Sequence, residues 1–108
     1  MGLPFQQQTF TGAITHPSMN LDPSVADFKV RVYCSVTGSV SYKLQYSLDN
    51  RDQVSDANVL WIDSTTIPAA TATSKEELFT VPVSRIRLVI ANGDGSIVMQ
   101  TLQGFMVG

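Results

Sequence analysis

Asp27-Phe28-Lys29-Val30-Arg31-Val32-Tyr33-Cys34-Ser35-Val36-Thr37-Gly38-Ser39-Val40-Ser41-Tyr42-Lys43-Leu44-Gln45-Tyr46-Ser47-Leu48-Asp49 is the stretch that decides the fold. Phe28, Val30, Val32, Cys34 and Val36 are apolar, and Lys29, Arg31, Tyr33, Ser35 and Thr37 occupy the positions between them. Gly38 interrupts the alternation. It resumes with Val40, Tyr42, Leu44, Tyr46 and Leu48 against Ser39, Ser41, Lys43, Gln45 and Ser47. A period of two sends successive side chains to opposite faces of an extended strand, so each half reads as a strand with one buried face and one wet face. The glycine between them predicts that the two strands are neighbours in one antiparallel sheet.

The same pattern extends in both directions. Phe5 to Thr15 predicts a first strand whose glutamines and threonines (Gln6, Gln7, Gln8, Thr9, Thr11) suit an edge or a partner's surface, with Phe10 and Ile14 as anchors. His16 to Ala26 reads as a loop, because Pro17, Asn20, Asp22 and Pro23 interrupt regular structure. Asp49 to Asn58 is a polar connection rich in carboxylates. It has no glycine for a sharp calcium-loop turn and carries Arg51 in its middle, so it reads as a solvated loop. Val59 to Asp63 predicts a fourth strand with Trp61, the sole tryptophan, as a core anchor. Ser64 to Ser74 reads as an extended loop or irregular edge, Lys75-Glu76-Glu77 as solvated loop, and Leu78 to Val81 as a short strand ending at Pro82.

Ser84 to Asn92 alternates again, with Ile86, Leu88 and Ile90 inward and Arg85 and Arg87 outward, Lys29 or Arg31 being candidate neighbours of the two arginines. Asn92-Gly93-Asp94-Gly95 predicts a tight hairpin turn, since Asn and Gly accept positive φ. Ser96 to Val107 closes the chain as a strand in which Gly104 suggests a bulge. About seven short strands with regular turns predict an all-β, single-domain antiparallel β-sandwich or jelly roll. Strand order is not written in periodicity, so an immunoglobulin-like topology stays open beside the jelly roll.

The 108 residues suit one domain, 1–108. Hydrophobic residues make up 44%, enough for one core. Charged residues make up only 15% against a typical ~25%, so uncharged polar side chains cover the surface, as in proteins that sit against other proteins. A net charge of −2 without any Lys/Arg cluster argues against nucleic acid as a partner. Cys34 is the only cysteine, so neither an intramolecular disulfide nor a cysteine zinc site can form. It reads as a small buried hydrophobe in a domain assembled in a reducing cell. The start of the chain shows no signal peptide or lipidation pattern, and no apolar run reaches the ~20 residues of a membrane span, so a soluble protein without a membrane partner is expected. His16, the single histidine, has no acidic partner close in sequence, and Gly93-Asp94-Gly95 lacks the remaining elements of a nucleotide fingerprint. The expectation is a non-enzyme with no cofactor and no metal.

Several motifs together carry a resemblance. They are Tyr42-Lys43-Leu44-Gln45-Tyr46-Ser47-Leu48-Asp49, Leu60-Trp61 after a polar loop, Val81-Pro82-Val83-Ser84-Arg85-Ile86-Arg87-Leu88, the Asn92 to Gly95 turn, and a closing Leu102-Gln103-Gly104. In these the chain resembles small virion proteins of tailed phages, most closely head decoration or cement proteins. The resemblance implies a β-sandwich that pairs or trimerises with copies of itself and clamps neighbouring major capsid subunits on the outer surface of the phage head, after assembly in the host cytoplasm. Under it, residues 1–15 and 104–108 are partner-binding arms. The candidate contacts are Phe5, Gln6, Gln7, Gln8, Phe10, Arg85, Arg87, Phe105, Met106 and Val107. The competing expectation is a tail or tail-fibre component, with receptor or glycan binding. A glycan platform would need Trp61, Tyr33 or Tyr46 on an exposed face, and the alternation places only Tyr33 outside.

Overall fold

The computed structural model describes residues 5–21, 29–49, 58–80 and 83–104. Its eight strands are β1 (Phe5–Thr11), β2 (Met19–Asn20), β3 (Lys29–Thr37), β4 (Val40–Ser47), β5 (Ile62–Asp63), β6 (Lys75–Phe79), β7 (Arg85–Gly93) and β8 (Ser96–Gly104). They form two four-stranded antiparallel sheets, sheet A in the order β1-β8-β3-β6 and sheet B in the order β2-β7-β4-β5. The described residues include no α-helix. The sandwich follows the alternation, and the pairing settles its topology. β1 pairs with β8, β2 with β7, β3 with β6 and β4 with β5. This is one long hairpin, its tip at the β4–β5 connection, rolled over into two sheets, which is the plan of a jelly roll.

That plan corrects both turn assignments. β3 and β4 do not pair across Gly38, and β7 and β8 do not pair across the Asn92 to Gly95 turn; each turn carries the chain from one sheet to the other. The two crossings run side by side. Thr37 faces Ser96 in sheet A and Val40 faces Gly93 in sheet B, so a step of three residues on one chain matches three on the other. The Gly95 N–H donates to Ser39 O at 2.9 Å and ties the two corners together. Gly38 and Gly93 have φ of 84° and 102°, where a side chain strains the backbone. Alternation reports which face a residue occupies, but not which strand lies beside it, and the same glycine chemistry serves a hairpin or a corner.

The core is filled from both sheets. Phe10, Val30, Val32, Cys34, Phe79, Ile97 and Met99 come from sheet A, and Met19, Val40, Tyr42, Leu44, Ile86, Leu88 and Ile90 from sheet B. Leu21, Ile67 and Val83 close it from the connections. Tyr46 crosses the gap to meet Phe79 edge-on, ring centroids 5.3 Å apart, and the Thr101 hydroxyl reaches Met19 Sδ at 3.5 Å. The buried Tyr42 phenol donates to Thr73 O at 2.7 Å, and burial pushes its pKa up. Cys34 is fully buried; desolvation first, and the nearby Glu77 charge second, push its thiol up to about 12. A thiolate is the reactive form. Native protein at mildly alkaline pH is therefore expected to resist a thiol reagent and to label only as fast as it unfolds. Prompt stoichiometric labelling of the folded chain would contradict the buried placement.

Several local assignments change. His16 to Leu21 is not simply a loop. The His16 N–H donates to Leu88 O, and the Leu21 N–H to Ser84 O, so the segment runs along β7 and includes β2. Lys75-Glu76-Glu77 is not loop but the start of β6, paired with Cys34, Tyr33 and Val32. The predicted strand from Val59 shrinks to Ile62–Asp63. Ile14 and Leu48 are exposed and anchor nothing. Gly104 lies in regular register opposite Lys29, and the bulge falls instead in β7, where Ala91 is the extra residue between the Ser41–Asn92 and Tyr42–Ile90 pairs. The Asp49 to Asn58 connection and the segment Phe105 to Val107 fall largely or wholly outside the described residues.

Candidate protein-interaction surface

Sheet A presents a broad outer face, because alternate residues of β3 and β8 that do not enter the core must point away from it. Cross-strand register aligns them in rows. Phe5 lies opposite Leu102, Leu102 opposite Arg31, and Arg31 opposite Leu78, so one row crosses all four strands. The adjacent row is Gln7, Gln100, Tyr33 and Glu76. Leu102 on β8, Tyr33 on β3 and Leu78 on the edge strand β6 are 53%, 39% and 48% exposed. Lys29, Arg31, Leu78 and Leu102 line a shallow groove of about 320 Å³. Arg31 Nη1 lies 3.0 Å from Glu76 Oε1, an exposed ion pair that orients the guanidinium and adds little stability. Gln100 Nε2 donates to Gln7 Oε1 at 2.8 Å and holds β1 to β8 through side chains as well as backbone. The arrangement offers aliphatic surface framed by the Arg31–Glu76 ion pair and the Gln100–Gln7 hydrogen bond.

Sheet B's outer face is built differently. Lys43 Nζ lies 3.2 Å from Asp63 Oδ1, and Gln45 Nε2 donates to the same oxygen at 2.7 Å. Arg87 Nε donates to Gln45 Oε1 at 2.7 Å, and its guanidinium sits 4.1 Å from the centre of the Trp61 ring. The Gln45 hydrogen bond, and then Lys43, hold the Asp63 carboxyl below its ordinary value. The network fixes the β5 edge to β4 and β7. It also corrects the role given to Trp61, which lies half-buried outside the core beneath Arg87. One ring face is thus taken by a guanidinium, as in a cation–π stack.

The structure separates the residues singled out from the sequence. Gln7 and Gln8 are exposed on β1 and Gln6 is half-buried. Phe5 belongs to β1 opposite Leu102. Phe10 is a core residue at 3% exposure, its ring centroid 5.0 Å from that of His16, and offers no surface to a partner. His16 is itself buried, with Nε2 at 3.0 Å from Gly12 O. Arg85 is buried at 4% exposure and Arg87 is engaged with Gln45 and Trp61, so neither forms an open basic patch. Lys29 and Arg31 are in sheet A and the two arginines in sheet B, so these cations do not share a face. Phe105, Met106 and Val107 lie outside the described residues. Leu78 and Leu102 were missed. Their signal was in the sequence as apolar residues out of phase with Phe79 and Thr101, but the phase could be read only once β6 and β8 were paired with β3.

Among the described residues no group of three or more His, Cys, Asp or Glu side chains is placed to hold a metal ion. No known protein family matches the chain, and no curated protein does. Among solved structures it is similar to a Bacillus endospore appendage protein, from a novel family of disulfide-linked pili. The TM-score is 0.53 at 16% identity, over 94% of this chain and 86% of that one. At that identity the likeness is one of fold alone, over nearly the whole chain.

Proposed function

We propose that the chain is a structural virion protein of a tailed phage, a decoration or cement protein that binds the assembled shell of major capsid protein on the outer surface of the head. It acts without catalysis, cofactor or nucleic acid. The observation that carries this reading is the outer face of sheet A, where Leu102 and Leu78 flank Arg31 in an exposed row across the sheet. The mechanism is additive. Each copy covers modest apolar area on a shell subunit, and repetition over a closed lattice turns weak contacts into avid binding. The motif resemblance to small phage virion proteins favours the head, and the low charge of the surface suits permanent contact.

The test is cosedimentation of the purified chain with phage heads that lack it. Binding in fixed ratio to the major capsid protein is the expected result. The double variant Leu78→Thr with Leu102→Thr keeps strand-forming residues at both positions while removing aliphatic area. It should weaken binding roughly tenfold or more, the worth of about one to two kcal/mol of apolar contact. Unchanged binding by the folded variant would remove this face from the reading. The likeness to a pilus subunit favours a second reading, a chain that polymerises into a filament. Filaments of the isolated chain under the electron microscope, with no binding to heads, would select it. A tail or tail-fibre location would instead show as a few copies per particle rather than hundreds.

A further inference from the structure

A jelly roll of this kind has four sheet edges, and proteins guard such edges with short strands, charges, prolines or bulges, because an unguarded edge recruits another strand. Three of the four edges are guarded here. β2 and β5 are two residues each, and the irregular segments around them contain Pro17 and Pro68. β6 carries Lys75, Glu76 and Glu77 in succession, and Ser74 Oγ accepts the Val36 N–H beside it. Among the described residues, β1 is the exception. It is seven residues long, it lies at the end of sheet A, and Phe5-Gln6-Gln7-Gln8-Thr9-Phe10-Thr11 contains no charge, no proline and no glycine. Its pairing with β8 is regular throughout, without a bulge to twist the edge away.

We infer that β1 pairs antiparallel with β1 of a second copy about a two-fold axis at Gln8, joining two A sheets into one eight-stranded sheet. The occupant is a second copy because an isologous contact must be self-complementary. A neutral strand meets its own copy without like-charge repulsion, which the charged β6 edge would not do. The register follows from parity. Residues directly opposed across antiparallel strands point to the same side. Centring on Gln8 opposes Gln7 with Thr9 of the partner, both on the outer face, and Gln6 with Phe10 of the partner, both on the inner side. It also uses all seven residues of the strand. The outer faces then lie side by side, so the proposed shell-binding surface is doubled rather than covered. The inference rests on the assembly reading for its purpose only, since the pairing is a property of the isolated chain.

Charge reversal across the two-fold tests it, with mass measured by light scattering or sedimentation and no phage particle present. The wild-type chain is expected at twice the monomer mass. Gln7→Lys with Thr9→Lys places lysines opposite each other in both pairs and should halve the mass. Gln7→Glu with Thr9→Lys places a carboxylate opposite an ammonium twice and should restore the dimer. Gln7, Gln8 and Thr9 are exposed, so each variant should fold; the Gln7 variants lose the hydrogen bond from Gln100, and an unchanged β-sheet circular dichroism spectrum checks that the fold is kept. Gln8→Cys should give a covalent dimer on mild oxidation, while Thr66→Cys, exposed in the β5–β6 connection, should not. A monomeric wild type, or a dimer indifferent to the two-lysine variant, would overturn the pairing. Shell binding by the monomeric two-lysine variant would leave the decoration reading intact, so the two ideas fail separately.

Discussion

Replacing Gly93 with alanine is expected to lower unfolding free energy by about 3–5 kcal/mol, a large part of the ~5–15 kcal/mol that holds a domain of this kind. Two costs combine. At φ 102° a side chain strains the backbone by about 1–3 kcal/mol. A Cβ there would also lie 2.2 Å from Ser39 O and 2.7 Å from Val40 Cα, so the neighbouring corner must move, at a further overpacking cost of ~1–3 kcal/mol. Gly12 separates the two terms. Its φ is 93°, but a Cβ there meets nothing within 4 Å. Gly12→Ala should therefore show the conformational cost alone. Denaturant midpoints decide the matter, and equal losses at the two glycines would mean that the corners do not pack as described.

The second large effect belongs to the centre of sheet B. Leu44 and Leu88 are directly opposed on β4 and β7, and both are fully buried. Truncating either to alanine removes apolar burial and leaves a cavity between the sheets, a loss of roughly 2–5 kcal/mol. The two changes share one cavity, so the double variant should lose less or more than the sum, and a thermodynamic cycle reads that coupling. Leu60→Ala is the control. Leu60 is exposed, beyond the core, and its truncation should stay within about 0.5 kcal/mol. A large loss at Leu60 with little at Leu44 would mean that the assignment of inner and outer residues is inverted.

The faces of the strands were legible because burial acts on individual side chains. Val30, Val32 and Cys34 alternate with Lys29, Arg31 and Tyr33 in the chain, and they do so in the fold. The polar edge character of the strand read from Phe5 to Thr15 was legible for the same reason; β1 lies at an edge but ends at Thr11. Partners were not legible. Gly38 and the Asn92 to Gly95 turn carry the chemistry of a reversal, and a corner between sheets needs the same positive φ. What distinguishes them is a hydrogen bond from Gly95 to Ser39, between positions far apart in the chain. Trp61 misled for a related reason. Its apolar neighbours suggested a buried strand, whereas its environment is set by Arg87, which register brings to it through Gln45. The exposed row of sheet A was hidden likewise, since Leu78, Arg31 and Leu102 become a row only when three strands are aligned. Arg85 reads as outward from the alternation, but it is buried at 4% exposure, a tertiary matter on which the period is silent.

The nesting of strand pairs inside one rolled hairpin also sets a calendar for the molecule. Gln45 meets Asp63 across a short connection, Val30 meets Phe79 across a longer one, and Phe5 meets Leu102 across almost the whole chain. Loop closure costs more entropy as the span grows, and an inner pair already formed shortens the span for the next. On that ground growth is expected to start at the β4–β5 tip and to travel outward, with β1 laid down last. Until it arrives, β8 is itself the margin of sheet A, with Ile97 and Met99 uncovered on one side. The strand expected to complete the domain is thus an edge strand of sheet A, and the pairing proposed for it would be open only to a copy whose own folding has finished.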